Sequence, residues 1–322
     1  MRLSLLDRSR TRAGRPDAEA LAGTVARAVD AERLGYERFW VAEHHAVPGI
    51  ASGAPPVLLA AVGARTSTIR LGSGGVMLPH HQPLVVAEQF LMLDALYPGR
   101  LDLGLGRSLG FTPPVRRALR HGPEAPDTFE DDLRELRGYL EGTGPVTARP
   151  ALDHAVPMHL LATGRGLAVA ARLGLPVVLG GPILDGDEVG DLLAGYRRDF
   201  RPHRGSVASV TVSLDVTVAD DDGTARELAL PEAWAMARSR QTGEFPPLET
   251  VADIRDRAWP EQVRRRVETS LARAVAGGPS TVRRRLERLV ERAGADELMA
   301  STSTYDRDAL LASDRLLLDL VA

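Results

Sequence analysis

The chain has 322 residues, of which 44% are hydrophobic and 26% are charged, and this composition is typical of a globular protein with a sizeable core. The 40 basic and 43 acidic residues leave a formal net charge of -3, so no overall field attracts nucleic acid or an anionic membrane. Because the chain has no cysteine, disulfides, thiolate catalysis and metal–thiolate sites are excluded. No segment approaches the roughly 20 apolar residues of a membrane span, and no signal sequence is recognised, so we expect a cytoplasmic protein.

Short apolar runs alternate with longer helical patterns along almost the whole chain, which is typical of repeated βα units. The apolar runs predict eight strands, at residues 3–6, 39–41, 69–76, 100–105, 158–161, 177–179, within 207–218, and at 297–300. Patterns of helical period predict helices at residues 16–34, 57–65, 84–96, 129–140, 167–173 and 188–200, and a closing helix from residue 306. Eight parallel strands in this order favour a closed (β/α)8 TIM barrel, with residues 1–322 as one domain.

The predicted seventh strand and the segment after it depart from a simple barrel. Residues 210–218 alternate strictly between apolar and polar side chains, whereas barrel strands are usually apolar on both faces. The polar face belongs either to a partly exposed edge strand or to a strand whose polar side faces the pocket. Residues 219–273 are too many for a plain connection, so we predict a helical insertion over the barrel mouth, where long loops often serve as lids.

Four of the predicted strands end in unusual residues, and barrel enzymes place their chemistry at the carboxyl ends of strands. His44 and His45 leave the second strand, where an imidazole can transfer a proton near neutral pH. The alternative is a structural or surface pair; as a metal site it lacks a third ligand, so no metal is predicted. Ser73, Gly74 and Gly75 end the third strand, and the glycines either make room for a flat ligand or form a tight turn.

The fourth and fifth predicted strands end in candidate anion sites. Residues 104–107 superficially suggest a dinucleotide-binding loop, but they follow the wrong strand and lack both the last glycine and a ribose-binding acidic residue. Arg107 is interpreted as a cation for a phosphate, with a solvated surface arginine as the alternative. Residues 163–166 open a helix whose free N–H groups form an anion site or a plain helix cap. Two candidates on neighbouring strands favour a phosphorylated cofactor.

In combination, these motifs resemble the bacterial luciferase-like flavin-dependent monooxygenases and oxidoreductases over nearly the whole chain. The motifs that carry the resemblance are Glu43-His44-His45, Gly74-Gly75, Pro98-Gly99-Arg100, Gly104-Leu105-Gly106-Arg107, Ala170-Ala171-Arg172-Leu173-Gly174 and Gly294-Ala295-Asp296-Glu297-Leu298-Met299. The resemblance implies that FMN binds at the open end of the barrel. It also implies that His44 lies beside the reacting edge of the flavin, as the principal catalytic residue, and assists the formation or breakdown of the peroxyflavin.

The resemblance further implies a non-proline cis peptide at Gly74-Gly75, which supports the flavin ring. The cofactor-binding residues that it indicates are Ser73, Gly74, Gly75, Gly106, Arg107, Leu109, Ala162, Thr163, Gly164, Arg165 and Gly166. His45 and Glu88 match positions that pair across a dimer interface in relatives, which implies a homodimer. The chain departs from the family pattern at Gly106, where some relatives carry a reactive cysteine, and in the loop that starts at Thr163, where many relatives are rich in serine.

The resemblance implies a two-component monooxygenase. A separate flavin reductase supplies reduced FMN, and one oxygen atom from O2 is inserted into a small organic metabolite. The absence of a recognisable nicotinamide-binding motif agrees with this hypothesis, and neither nucleic acid nor a membrane is expected as a partner. Two alternatives remain: a hydride-transfer oxidoreductase that uses the deazaflavin F420 in the same barrel, and a noncatalytic flavin-binding dimer partner.

Overall fold

The computed structural model describes residues 1–110, 112–121, 124 and 126–321. Within them the strands are β1 (Arg2–Asp7), β2 (Arg38–Val41), β3 (Arg70–Ser73), β4 (Val76–Met77), β5 (Leu101–Gly106), β6 (Met158–Leu161), β7 (Val177–Gly180), β8 (Val210–Leu214), β9 (Val216–Val218), β10 (Val275–Gly277) and β11 (Glu297–Ala300). The helices are α1 (Asp17–Leu34), α2 (Pro55–Gly63), α3 (Pro83–Leu96), α4 (Pro113–Ala118), α5 (Phe129–Leu140), α6 (Arg165–Leu173), α7 (Val189–Asp199), α8 (Asp222–Thr242), α9 (Val251–Arg255), α10 (Glu261–Arg273), α11 (Pro279–Ala293) and α12 (Arg307–Val321).

Eight parallel strands close into a barrel in the order β1, β2, β3, β5, β6, β7, β8 and β11, and β11 pairs again with β1. The short strand β4 continues the third strand of the barrel and pairs with β5. Because all the barrel pairings are parallel, every strand ends at the same rim, which we call the barrel mouth. The predicted (β/α)8 barrel is therefore confirmed.

The barrel interior near the mouth is filled mainly by Trp40, which packs with Leu6, Val178 and Met299. The indole occupies space that two glycines on neighbouring strands leave open. A Cβ atom added at Gly72 would lie 2.2 Å from Trp40 Nε1, and one added at Gly104 would lie 2.8 Å from Trp40 Cζ3. The sequence therefore combines one large residue with glycines on β3 and β5, as close packing of a narrow barrel requires.

A buried network of charges lies at the opposite, amino-terminal end of the barrel. Asp102 accepts from Arg38 Nη1 at 2.6 Å and from Arg70 Nη2 at 2.6 Å, and Arg38 also donates to Glu297 Oε1 at 3.1 Å. Burial by itself raises the pKa of Asp102, but the hydrogen bond and charge of His159, together with the two arginines, outweigh it and hold that pKa below its usual range. This network binds four strands together at the end away from the chemistry.

Two features after the barrel's seventh strand differ from the prediction. The predicted strand divides at Asp215 into β8, which belongs to the barrel, and β9, which pairs with β10 in a separate two-stranded parallel sheet. Neither β10 nor α11 was predicted: Val275–Gly277 is too short to give a periodic signal, whereas Pro279–Ala293 does carry an amphipathic helical pattern that was not assigned to a helix. Helices α8, α9 and α10 form the predicted helical insertion and share a small apolar core around Trp234, Ile254 and Val267.

None of the described helices is both long enough and apolar enough to cross a membrane.

Candidate active site at the barrel mouth

One half of the mouth brings together the ends of β2, β3, β5 and β6, where the sequence placed its candidate residues. The backbone N–H of Gly74 donates to the Val41 carbonyl at 2.8 Å, which joins the ends of β2 and β3. The hydroxyl of Ser73 is buried and donates to the Gly104 carbonyl at 2.7 Å, which joins β3 to β5. Ser73 therefore holds the strand ends together through its side chain.

The glycines at this half of the mouth leave the backbone uncovered, where side chains would block access to it. The Gly74–Gly75 peptide bond is cis, as the resemblance implied. A Cβ atom at Gly75 would lie 2.9 Å from the Gly104 carbonyl oxygen, so this approach requires glycine. A Cβ atom at Gly106 would meet nothing nearer than Val76 O at 3.9 Å, so open space lies beside it. The surface fits a flat ring system placed against the backbone.

Exposed polar groups lie beyond β5 and β6, on the same half of the mouth. Thr163 and Arg165 are exposed, and within the described residues neither side chain has a protein partner. Gly164, with a φ of 47°, precedes the first residue of α6, and no side chain caps that helix. Arg107 forms an exposed ion pair with Asp127, and a pair of this kind is weak enough to exchange for another anion.

The other predicted cofactor residues lie on the same two loops. Ala162 is buried at the end of β6, and Leu109 is 37% exposed. Gly166 lies in the first turn of α6, where its backbone N–H donates to the Thr163 carbonyl at 2.9 Å. Some N–H groups of the first turn are thus already hydrogen-bonded within the chain. Most of the attraction for an anion would therefore come from the cationic side chains.

His44 follows β2, and the charges of Arg8 and Arg10, on the loop after β1, act on it. Burial and, to a smaller extent, the positive charges of Arg8 and Arg10 together lower the pKa of His44 to about 4, against a smaller opposite effect of Glu43. The imidazole is therefore neutral at pH 7. In that state one ring nitrogen carries a proton and the other can accept one. Arg8 and Arg10 were not singled out by the sequence, because no local pattern indicates that they approach His44 through space.

His45 has neighbours that the sequence did not reveal. Its Nε2 lies 2.6 Å from Glu43 Oε1, and His81 Nε2 lies 2.8 Å from the same oxygen. The other carboxylate oxygen of Glu43 accepts from the backbone N–H of Met77 at 3.1 Å. Burial raises the pKa of Glu43, but the hydrogen bonds and charge of the two histidines outweigh it and keep that pKa low. One ligand atom from each of these three side chains lies within 4.8 Å of the others, so a set of three potential metal ligands exists here.

The other half of the mouth holds a cavity of about 1060 Å³. Its described lining comes from the ends of β1, β7, β8 and β11 and from helices α8, α10 and α11, and it includes neither His44 nor any predicted cofactor residue. Ser213, Asp215 and Thr217 line it, so the polar face of the alternating segment faces this pocket. Of the two interpretations that the sequence left open, the pocket-facing one is confirmed for these three residues.

The two halves of the mouth meet at Arg8, at the end of β1. Arg8 lines the cavity, donates to Asp215 Oδ1 at 2.9 Å, and forms an ion pair with Glu232 at 3.2 Å. Glu232 belongs to α8 and also accepts from Arg10 Nε at 2.9 Å. The helical insertion is therefore tied to the barrel by a buried ion pair network that also reaches the surroundings of His44.

A closed parallel barrel with glycine-rich strand ends and a cavity at its mouth is the architecture of a TIM-barrel enzyme. The chain matches the luciferase-like monooxygenase family over residues 1–297 and belongs to that family. A curated relative from Escherichia coli K12, named luciferase-like monooxygenase, is 36% identical over 325 residues, which cover 98% of this chain and 96% of the relative.

Solved structures show the same fold. The crystal structure of apo-MsnO8 superposes with a TM-score of 0.88 at 32% identity and covers 99% of this chain and 98% of that one. The oxygenating constituent of 3,6-diketocamphane monooxygenase from Pseudomonas putida, solved with FMN, gives a TM-score of 0.77 at 20% identity, covering 100% and 98%. An F420-dependent secondary alcohol dehydrogenase gives 0.71 at 15% identity, covering 100% and 99%. The last two similarities show the fold alone.

Proposed function

We propose that the protein is an FMN-dependent monooxygenase of the two-component type, which takes reduced FMN from a separate flavin reductase and inserts one atom of O2 into a small organic metabolite. Reduced FMN supplies, when bound, the electrons that activate O2. The observation that carries the proposal is the bare backbone of Gly74, Gly75 and Gly106 beside the exposed cations of Arg107 and Arg165. A flat ring and a phosphate are the two parts of FMN that these surfaces suit.

In this proposal the cofactor lies along the half of the mouth formed by β2, β3, β5 and β6. Gly74, Gly75 and Gly106 contact the ring, and Ser73 holds the strand ends at the spacing that the ring needs. The loop formed by Arg107, Leu109 and the Ala162-Thr163-Gly164-Arg165-Gly166 segment binds the ribityl phosphate. The open space at Gly106, where some relatives have cysteine, is filled by the ring or by the substrate.

His44 is the proposed catalytic residue. Its neutral imidazole accepts a proton at one ring nitrogen and hands it on, and Arg8 and Arg10 keep the ring neutral until negative charge develops nearby. Helices α8 and α10 of the insertion line the adjoining cavity and would limit the access of water from that side, which would favour oxygen transfer over release of hydrogen peroxide. Catalysis thus depends on one placed histidine at the mouth.

We also propose that the protein is a homodimer that pairs through α2 and α3. Val57 on α2 is 73% exposed, and Val85, Met92 and Leu96 on α3 are 48%, 56% and 63% exposed. Glu88 lies on the same face of α3, at helical spacing from its apolar neighbours. A cluster of exposed apolar side chains on two adjacent helices supports an interface. Within the chain, His45 is hydrogen-bonded to Glu43, and Glu88 accepts from the backbone N–H of Arg149. In a dimer, His45 and Glu88 would each share or exchange this partner.

The experiment that tests the function adds reduced FMN to the protein without oxygen and then admits O2, while hydrogen peroxide release is followed. We expect the protein to bind reduced FMN and to release peroxide much more slowly than free reduced FMN does. His44→Ala should keep the FMN affinity and lose this protection. Peroxide release at the free rate would contradict the proposal, and binding of reduced F420 alone would favour the hydride-transfer alternative.

The phosphate contact has its own test. Arg107→Ala should weaken FMN binding by about tenfold and leave riboflavin binding unchanged, because only FMN carries the phosphate. Arg117→Ala removes an exposed arginine from α4 close by in the chain and is the matched control. Equal losses of FMN and riboflavin affinity in Arg107→Ala would disprove the contact.

A further inference from the structure

The cavity formed by β1, β7, β8, β11 and helices α8, α10 and α11 has a strong excess of positive charge. Eight arginines and three carboxylates line it. The carboxylates are already engaged: Asp185 lies 3.2 Å from Arg273, Asp215 lies 2.9 Å from Arg8, and Glu232 forms an ion pair with Arg8 as well. Arg265 also pairs with Glu261, 3.2 Å away and outside the lining, so these ion pairs leave about half of the arginine charge without compensation.

Three of the lining arginines come from three different helices and have no partner within the described residues. They are Arg240 on α8, Arg266 on α10 and Arg288 on α11. The Nη1 atom of Arg266 is buried and makes no hydrogen bond. A buried cationic N–H group without an acceptor is costly, and in native proteins such a group is usually satisfied by a ligand, an ion or water.

Arg285, one turn before Arg288 on α11, indicates how concentrated the positive charge is. Its Nη2 donates to the backbone carbonyl of Ala272 at 2.9 Å, so it is fixed in place at the end of α10. Burial lowers the pKa of Arg285, and the like charge of Arg288 lowers it further. Helix α11 therefore holds two arginines of the lining close enough to repel each other, and an anion bound beside them would relieve the repulsion.

The uncharged part of the lining is mixed: it has hydroxyl and amide side chains, such as Ser213, Thr269 and Ser301, and it also has apolar side chains. Leu184, Leu214, Met236, Val275 and Leu289 all contribute to the wall. The volume of about 1060 Å³ is large enough for a small organic molecule. A pocket that combines apolar side chains with unpaired guanidinium groups fits a ligand with an apolar body and an oxyanion at one end.

We propose that this cavity is the substrate site and that the substrate is a small organic anion, in which an apolar body carries a carboxylate or a phosphate bound by Arg266 and Arg288. That the bound anion is a substrate rests on the proposed monooxygenase function. Arg8 lines the cavity and its charge acts on His44, so the cavity adjoins the surroundings of the proposed catalytic residue. The exposed Arg240 attracts anions toward the opening.

The test measures binding to the flavin-free protein by calorimetry with three probes of one shape: 2-naphthoate, 2-naphthyl phosphate and the neutral 2-naphthamide. We expect at least one of the two anions to bind about tenfold or more tightly than the amide, and the tighter anion identifies the oxyanion. Arg288→Gln and Arg266→Gln should each weaken that anion by about tenfold and leave the amide unchanged.

The matched control is Arg283→Gln, an exposed arginine on α11 that does not line the cavity; it should bind all three probes as the unmodified chain does. Because Arg288 is exposed, its variant tests the site even if Arg266→Gln fails to fold. Equal affinity for the three probes would overturn the inference. Displacement of the anions by FMN would overturn it too, since the cavity would then hold the phosphate of the cofactor.

This measurement uses neither reduced flavin nor O2. A failure of the peroxide experiment with intact anion binding would therefore refute the monooxygenase and leave the anion site. The opposite pattern would refute the anion site alone.

Discussion

At the scale of single residues, burial and nearby charges set the protonation state of His44 at the mouth. Burial and two arginines keep its imidazole neutral, whereas an isolated histidine would be partly protonated near pH 6.5. A neutral ring suits a residue that must accept a proton during the reaction and not before it. The same depressed pKa has a consequence for stability.

Protonating His44 should favour the unfolded chain. Its pKa is about 4 when folded and near 6.5 when unfolded, so between these values the unfolded state binds more protons. We expect the free energy of unfolding to fall as the pH drops from 6.5 to 4, and His44→Gln to remove part of this fall. Urea unfolding across that range measures it.

The control is His154→Gln. Asp153 and Asp94 raise the pKa of His154, so its contribution to stability is present below pH 6.5 and is lost as the pH rises further. Removing His154 should therefore change the profile above pH 6.5. An unchanged acid profile in His44→Gln would show that burial does not depress the pKa of His44.

Asp102 decides the stability of the other end of the barrel. Asp102→Asn leaves Arg38 and Arg70 without their shared carboxylate in a buried site, and we expect it to lower the free energy of unfolding by about 3 kcal/mol. Asp131→Asn, whose side chain is 86% exposed, should change it by less than about 0.5 kcal/mol. Similar losses in the two variants, measured by urea unfolding at pH 7, would contradict the role of the network.

At the scale of elements, α8 connects the insertion to the barrel. Glu232 in the middle of this helix reaches Arg8 and Arg10 on the loop after β1, and the attraction of the two arginines keeps its pKa low although burial raises it. The insertion thus has an electrostatic attachment to the same arginines that act on His44.

Removing the Glu232 charge should loosen the insertion. We expect Glu232→Gln to accelerate hydrogen exchange of the α8 amides by at least about tenfold, because the buried arginines lose their partner. Glu227 lies on the same helix and forms an exposed ion pair with Arg255 of α9, so Glu227→Gln is the matched control, with little effect. Unaltered exchange in Glu232→Gln, measured by mass spectrometry, would show that packing alone holds α8.

At the scale of the whole molecule, the mouth has two halves with different chemistry. Bare glycine backbone and exposed cations form the half near β2 to β6, and an arginine-rich cavity forms the half near β7 to β1. The proposed dimer face lies elsewhere, on α2 and α3. A homodimer would cover four exposed apolar side chains that a monomer leaves in water.

The dimer is tested by Met92→Glu, which places a charge in the middle of this face. Light scattering should give twice the 34.6 kDa of one chain for the unmodified protein and one chain mass for the variant. Val207→Glu alters another exposed residue, 70% exposed, and should leave the dimer intact. A monomeric unmodified protein would refute the dimer directly.

The sequence by itself determined the barrel and the location of the candidate cofactor residues. Alternation of apolar runs with helical patterns is a local signal that predicts repeated βα units. Eight such units in a row favour a closed parallel barrel, and the structure has this barrel. The Gly74–Gly75 cis peptide was also foreseen, through the resemblance. The division of the seventh strand at Asp215 was not, since β9 is defined by its pairing with a distant segment, Val275–Gly277.

Only the tertiary structure decided the charge of the site. The net charge of -3 gives no indication of a cavity lined by eight arginines, because these side chains come from separate helices and from the loop after β1. The neutral state of His44 likewise depends on Arg8 and Arg10, more than 30 residues before it in the chain. Periodicity is set by neighbours along the chain, whereas burial and Coulomb forces depend on distance through space.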